Sequence, residues 1–133
     1  MSIALWVALG SALGGVSRFV VGDLFHLLWV HPFPLDTFFV NVTGSLLIGL
    51  VATLSEPDGR LMLPTHLRQF VMAGFCGGFT TFSIFSLESL YLLQHSPWLG
   101  MLNLIATAAL CLLAVWLGHV LAQRLNQLPR SQP

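Results

Sequence analysis

Apolar residues dominate four long stretches of the chain, and short polar segments rich in proline, glycine and serine separate them. The stretches cover residues 3–29, 35–54, 67–93 and 98–122. Each is long enough to cross a bilayer as a helix, which takes about 17–25 mostly apolar residues. The pattern predicts an all-α integral membrane protein with four transmembrane helices.

Composition supports the membrane assignment and excludes some partners. Of the 133 residues, 56% are apolar and only 8% are charged, whereas soluble domains carry about 25% charged residues. The formal net charge is zero, and the chain has no basic cluster that would attract nucleic acid. No linker divides the sequence, so we expect residues 1–133 to form a single membrane domain surrounded by lipid.

Arginines show a weak orientation signal. In a four-span topology, four of them lie on the same side as the N-terminus: Arg60, Arg68, Arg124 and Arg130. The positive-inside rule therefore favours cytoplasmic termini. Arg18 lies within the first span. Placing an arginine at the bilayer centre costs about 2.5–3.5 kcal/mol, so Arg18 should face protein or water, or extend to the interface.

Small and polar residues mark the helix faces that we expect to be buried. Small residues recur every four positions in the first two spans, at Gly10, Gly14, Gly22, Ser45 and Gly49. Such stripes permit close helix packing, and we expect them to contact a partner subunit. Polar residues line one face of the second and fourth spans: Thr37, Asn41, Asn103, Thr107 and Cys111. Asn41 must hydrogen-bond in hydrocarbon, either to a neighbouring helix or along a polar path.

The third span contains a sequence that disfavours a continuous helix. Gly77-Gly78 is followed closely by Thr80-Thr81, and neither glycine nor threonine stabilises a helix interior. A break here would release carbonyl and amide groups from helical hydrogen bonds, an arrangement that transporters use to hold ions. We therefore predict that the third helix is broken within the membrane.

Beyond the predicted break, Phe82 and Phe85 share a helix face, and Glu88 follows at i+3 from Phe85. Two phenylalanines at this spacing commonly form packing or lipid-facing surface. Phenylalanine also has a positive ring edge, so ring edges beside hydroxyl and amide donors could accommodate a small anion. Glu88 is a carboxylate inside a span, and such residues are functional candidates.

Three segments together resemble a known family, the CrcB/Fluc fluoride channels. Residues 14–19 (GGVSRF) and 37–45 (TFFVNVTGS) are similar to its motifs in the first two spans. Residues 74–88 (GFCGGFTTFSIFSLE) are similar to its third-span signature almost letter for letter. The resemblance extends over all four spans.

The resemblance implies an antiparallel, dual-topology homodimer in the bacterial inner membrane. Two pores would conduct fluoride passively and lower cytoplasmic fluoride. A structural sodium ion would be bound by the backbone carbonyls of Gly77 and Thr80. The implied fluoride pathway comprises Arg18, Thr37, Asn41, Thr81, Phe82, Phe85, Ser83 and Glu88.

Some features depart from the family pattern and leave alternatives open. Asp36 precedes Thr37 where the family usually has glycine, and the fourth span has fewer hydroxyl groups than expected. The arginine bias is unusual for a dual-topology protein, so a heterodimer with an oppositely oriented paralogue is an alternative to the homodimer. One rival function is a small multidrug/proton antiporter, although its usual first-span acid is replaced here by Gly10 and Gly14. Another is a non-conducting assembly protein. No nucleophile–base pair suggests an enzyme.

Overall fold

The computed structural model describes residues 2–28 and 33–128, and within these ranges the regular structure is entirely helical. The elements are α1 (Ile3–Leu28), α2 (Leu35–Leu54), α3 (Thr65–Gln69), a π-helix (Phe70–Cys76), α4 (Gly77–Phe79), α5 (Ser83–His95) and α6 (Pro97–Gln127). Residues 65–95 together form the third span, so four helices are long and apolar enough to cross a membrane. The predicted number of spans is confirmed.

The third and fourth spans are longer than the hydrophobic pattern predicted. They extend over Thr65–His95 and Pro97–Gln127. Pro97 occupies the start of α6, where a proline fits because its missing N–H would be unpaired in any case. Two parts of the sequence predictions, the end of the first span at Trp29 and Arg130, lie outside the described residues.

Helix α1 packs directly against the first half of the third span. A Cβ atom added to Gly74 would lie 2.9 Å from the Gly10 Cα atom, and one added to Gly14 would collide with the Phe75 carbonyl. Only glycine permits this backbone-to-backbone approach. The first-span stripe is thus buried inside the protomer at Gly10 and Gly14, and the expectation that it contacts a partner subunit is wrong for these two residues.

Helix α2 packs along α6 in the same manner. A Cβ atom on Gly49 would collide with the Val115 carbonyl of α6. Near the end of this interface, the Thr53 Oγ1 and His119 Nδ1 atoms lie 2.7 Å apart. Gly49 therefore also serves packing within the protomer and not, as expected, contact with a partner subunit.

The third span breaks between α4 and α5, as predicted. Thr80 is extended, with φ −80° and ψ 162°, and α5 starts at Ser83. Gly77 and Gly78 themselves stay helical, so the break lies a few residues beyond the glycines that suggested it. Gly78 instead packs against Ser11, because a Cβ atom there would lie 2.9 Å from the Ser11 Cα atom.

Candidate functional site

Asn41 fastens the extended segment of the break to α2. Its Nδ2 atom donates a hydrogen bond of 3.0 Å to the Thr81 carbonyl, and the Thr81 amide donates one of 2.8 Å to Asn41 Oδ1. Both residues are buried. A side-chain amide is suited to this task because it offers one donor group and one acceptor group, so it satisfies both backbone groups of Thr81 away from water.

This arrangement frees two carbonyls from their helical partners. In a continuous α-helix each amide donates to the carbonyl four residues earlier, so Thr81 would donate to Gly77 and Ile84 to Thr80. The Thr81 amide donates to Asn41 instead, and the Ile84 amide donates to Thr81 Oγ1 at 3.3 Å. The Gly77 and Thr80 carbonyls thereby lose the donors that an unbroken helix would supply.

Gly77 lies open on the protomer surface, whereas the side chain of Thr80 is held by a hydrogen bond within its own span. Gly77 is exposed on the protomer surface, and no atom lies within 4 Å of a Cβ atom built there. The Thr80 hydroxyl is already engaged, since it donates 2.9 Å to the Cys76 carbonyl. The hydrogen of the Thr80 hydroxyl is therefore not available to another acceptor.

The two phenylalanines that follow the break line a cavity with neutral walls. Phe82 is 80% exposed, Phe85 is half-buried, and their ring centroids lie 6.0 Å apart. The cavity measures about 310 Å³, and it is lined by Asn41, Ser45, Thr80, Thr81, Phe82, Phe85, Thr107, Ala108 and Cys111. Of the residues predicted from sequence, Asn41, Thr80, Thr81, Phe82 and Phe85 are thus brought together.

A second group forms around Glu88, on a different side of the break. Thr37 Oγ1 donates a hydrogen bond of 3.1 Å to Glu88 Oε1. The other carboxylate oxygen, Oε2, is buried and has no hydrogen-bond partner among the described residues. Glu88 does not line the cavity of Phe82 and Phe85, so it lies beside this cavity and not within it.

Thr81 connects the two groups. A further cavity of about 310 Å³ is lined by Arg18, Thr37 and Thr81, together with Ile84 of α5 and other residues of α1 and α2. Thr81 also lines the phenylalanine cavity. Ser83, which is exposed, has its hydroxyl 3.4 Å from that of Thr81. The side chain of Thr81 therefore lies where the Arg18 cavity and the phenylalanine cavity adjoin.

The fourth span supplies residues to which the sequence assigned no clear role. Asn103 Nδ2 donates 2.9 Å to Ser89 Oγ, and Thr107 Oγ1 lies 3.3 Å from Asn103 Oδ1. Asn103 and Ser89 are almost fully buried, at 1% and 2% exposure. This network joins α5 to α6 as polar contacts do between membrane helices. Its i+4 spacing was visible in the sequence, but its partner Ser89 was not.

Comparison with known proteins gives a consistent result. Residues 5–119 match the family model described as CrcB-like protein, Camphor Resistance (CrcB). The chain is 51% identical over 122 residues to a fluoride-specific ion channel of Paramagnetospirillum magneticum, covering 91% of this chain and 95% of the relative.

Two further relatives carry the same description. One, from Bradyrhizobium diazoefficiens, is 49% identical over 128 residues, covering 95% of this chain and 88% of the relative. Another, from Opitutus terrae, is 48% identical over 133 residues, covering 98% of this chain and 100% of the relative. The family match spans most of the chain and includes the break and both phenylalanines. The protein therefore belongs to the CrcB family.

Proposed function

We propose that the protein is a passive, fluoride-selective ion channel of a bacterial inner membrane that lowers cytoplasmic fluoride. The observation that carries this proposal is the phenylalanine cavity at the break, whose lining side chains are all neutral. The family relatives are named fluoride-specific ion channels. An integral protein with four spans has the architecture that such a role requires.

A cavity lined by uncharged side chains suits an anion that must pass through and not remain bound. Conduction needs binding strong enough to replace part of the hydration shell and weak enough to release the ion. Phenylalanine edges carry a partial positive charge, and hydroxyl groups donate hydrogen bonds without fixing a full charge. Phe82 and Phe85 supply the edges, while Ser45 adds a hydroxyl to the same cavity.

The position of Thr81 supports a continuous pathway. Fluoride would enter at the Arg18 cavity, where the guanidinium group attracts it, and would pass Thr81 to reach Phe82 and Phe85. Thr37 and Glu88 would form a polar track beside this route, and the exposed Ser83 would stand at its margin. Asn41 holds the break open by binding the Thr81 backbone. Its role is therefore to position the pathway.

We infer that a second copy of the chain completes the pore in an antiparallel homodimer. The phenylalanine cavity opens onto the protomer surface, because Phe82 is 80% exposed. Gly77 and Ala73 are exposed on the third span as well. A partner covering this face would enclose the cavity. An oppositely oriented paralogue in place of the second copy is the alternative assembly.

A structural sodium ion fits the oxygen atoms at the break. The Gly77 and Thr80 carbonyls lack their helical donors, and neutral carbonyl oxygens of interrupted helices coordinate sodium in membrane transporters. Gly77 itself is exposed on the protomer surface. When bound, the ion would neutralise the exposed carbonyl dipoles and hold two subunits together. The protein itself supplies the extended Thr80 conformation that presents them.

The test is efflux from liposomes containing the purified protein, with fluoride and chloride measured separately. Fluoride should leave rapidly while chloride is retained. Equal passage of both ions, or passage of neither, would contradict the channel proposal. Accessibility labelling of a cysteine introduced at Gln127, in sealed vesicles of the native membrane, tests the antiparallel assembly, because copies should react from both faces of the membrane. Labelling from one face alone would contradict it.

A further inference from the structure

A chain of three hydrogen bonds joins two residues that line the phenylalanine cavity. Ser89 Oγ donates to the Phe85 carbonyl at 2.7 Å. Asn103 Nδ2 donates to Ser89 Oγ at 2.9 Å, and Thr107 Oγ1 donates to Asn103 Oδ1 at 3.3 Å. Both ends of the chain, Phe85 on α5 and Thr107 on α6, line the cavity. Asn103 therefore connects the α5 wall of the cavity to its α6 wall.

Each polar atom of the Asn103 side chain has a partner in this chain of hydrogen bonds. The nitrogen donates to Ser89 on α5, and the oxygen accepts from Thr107 on α6 itself. Asn103, Ser89 and Thr107 are 1%, 2% and 4% exposed, so bulk water does not compete for these groups. The bond from Asn103 to Ser89 is the one that crosses between helices, and Asn103 is held at both of its polar atoms when it makes that bond.

The position of α5 depends on contacts of this kind because the third span is broken. A continuous helix would hold α5 rigidly relative to α4, but the chain is extended at Thr80 and no side chain caps the start of α5. Asn41 fastens the extended segment to α2 at Thr81. Among the described residues, the bond from Asn103 is the side-chain hydrogen bond that fastens α5 itself to α6. It therefore helps to fix the distance between these two walls of the cavity.

The distance between these walls affects which anion can pass. Phe85 belongs to α5, whereas Thr107, Ala108 and Cys111 belong to α6. Selectivity of a pore depends on its diameter as well as on the groups that line it. Fluoride is a smaller ion than chloride, so walls held close together can contact fluoride and still exclude chloride. Such a geometry persists only when the lining residues are held in place by hydrogen bonds and packing behind them.

We propose that Asn103 is a positioning residue for anion selectivity, which holds α5 against α6 through Ser89 and keeps the phenylalanine cavity too narrow for chloride. This inference rests on the proposed channel function. Asn103 is not among the residues that line the cavity, so it acts through Phe85 and Thr107 and does not touch the ion.

The experiment compares fluoride and chloride efflux from liposomes containing the full-length wild type or a variant. Asn103→Leu keeps a similar volume and removes the bond to Ser89, and Ser89→Ala removes the same bond from the other helix. In each variant the ratio of fluoride to chloride efflux should fall about tenfold, which corresponds to about 1.4 kcal/mol between the two barriers. The ratio should fall because chloride efflux rises.

The matched control is Thr53→Val, which removes another buried polar contact between helices. Thr53 Oγ1 lies 2.7 Å from His119 Nδ1 and joins α2 to α6, but neither residue lines the phenylalanine cavity. Thermal unfolding in detergent should show lower stability for Thr53→Val and for Ser89→Ala, whereas the efflux ratio of Thr53→Val should equal that of the wild type. A merely structural role for Asn103 predicts a wild-type ratio in all three variants.

The outcomes distinguish this inference from the channel proposal. A folded Asn103→Leu or Ser89→Ala protein with the wild-type ratio would overturn the positioning role and leave the channel proposal intact. A Thr53→Val protein whose ratio falls as far would overturn it as well, because any loosening of the bundle would then have the same effect. If Asn103→Leu yields no folded protein, Ser89→Ala decides, since it removes a single oxygen atom. Wild-type liposomes that release both ions equally, or neither ion, would defeat the channel proposal itself.

Discussion

Gly77 and Gly78 are neighbours in the third span, yet their surroundings are opposite. A Cβ atom on Gly78 would collide with the Ser11 carbonyl and lie 2.9 Å from the Ser11 Cα atom of α1. A Cβ atom on Gly77 would meet no atom within 4 Å, and the residue is exposed. The face of the third span at Gly78 therefore packs against α1 of the same protomer, and we call it the closed face. The face at Gly77 has no such neighbour within the protomer, and we call it the open face.

This difference indicates two separate reasons for glycine in the same motif. On the closed face, glycine lets two backbones approach within the protomer, and a side chain there would separate α1 from the third span. On the open face, nothing within the protomer requires glycine. The proposed partner subunit and the proposed sodium ion at the Gly77 carbonyl would give a reason for glycine at this position. Substitutions on the two faces should thus affect different properties.

The largest loss of stability is expected for a substitution on the closed face. Gly78→Val places a branched side chain against the α1 backbone, where neither element can move easily. Overpacking commonly costs 1–3 kcal/mol, and contact with backbone raises this to about 3 kcal/mol or more. Thermal unfolding in detergent should show a large destabilisation or no folded protein. A Gly78→Val protein with wild-type stability would contradict the packing seen at Ser11.

The matched substitution one residue earlier should spare the protomer. Gly77→Val meets open space in the protomer, so the helical content and monomer fold should remain. The added side chain would obstruct the proposed partner and sodium site, and dimerisation and sodium-dependent stabilisation should be lost. Cross-linking and unfolding with and without sodium measure these effects. A sodium-stabilised dimer of Gly77→Val would show that this face is not the interface.

Phe82→Ile and Phe85→Ile test the open face for conduction. An aliphatic residue keeps much of the apolar volume, and such swaps usually cost under about 1.5 kcal/mol in stability. Loss of the ring edge should lower fluoride efflux about tenfold, the effect of about 1.4 kcal/mol on a barrier. Leu90→Ile is the control, because Leu90 is exposed on α5 and lines neither of the two cavities. Folded variants with native efflux would assign both rings to packing.

Asn41→Asp tests whether Asn41 positions the extended segment at Thr81. The substitution is nearly isosteric, but a carboxylate cannot donate to the Thr81 carbonyl, which would be left buried opposite another acceptor. A buried polar group without its partner costs about 1–3 kcal/mol. We expect lower stability together with reduced fluoride efflux. The control is Thr43→Val, because the Thr43 hydroxyl bonds only within its own helix. Wild-type stability and efflux in Asn41→Asp would refute the positioning role.

The smallest effect is expected for Thr80→Ala. The Thr80 hydroxyl donates to the Cys76 carbonyl within its own span, and its loss should change stability by about 1 kcal/mol. Sodium binding through the main-chain oxygen should persist, as measured by stabilisation on addition of sodium. Complete loss of that stabilisation would show that the side chain, and not the backbone, coordinates the ion.

Local sequence properties were sufficient to predict the architecture. Hydropathy over about 20 residues identifies spans because the bilayer core has a fixed thickness. Low helix propensity near Gly77-Gly78 and Thr80-Thr81 predicted the break. The resemblance carried by residues 14–19, 37–45 and 74–88 implied the family. The position of the break was less accurate, since Gly77 and Gly78 remain helical and the chain becomes extended only at Thr80.

Tertiary structure alone decided which groups meet. The sequence places Gly10 and Gly14 on one stripe, but it does not reveal that the third span, and not a partner, covers them. The sequence shows that Asn41 is polar, but it does not show that the side-chain amide of Asn41 hydrogen-bonds to the backbone of Thr81. It also does not show that Glu88 accepts a hydrogen bond from Thr37. Periodicity assigns a residue to a face of its own helix. The neighbour of that face depends on how the four helices pack, because contacts between residues distant in the chain leave no local pattern.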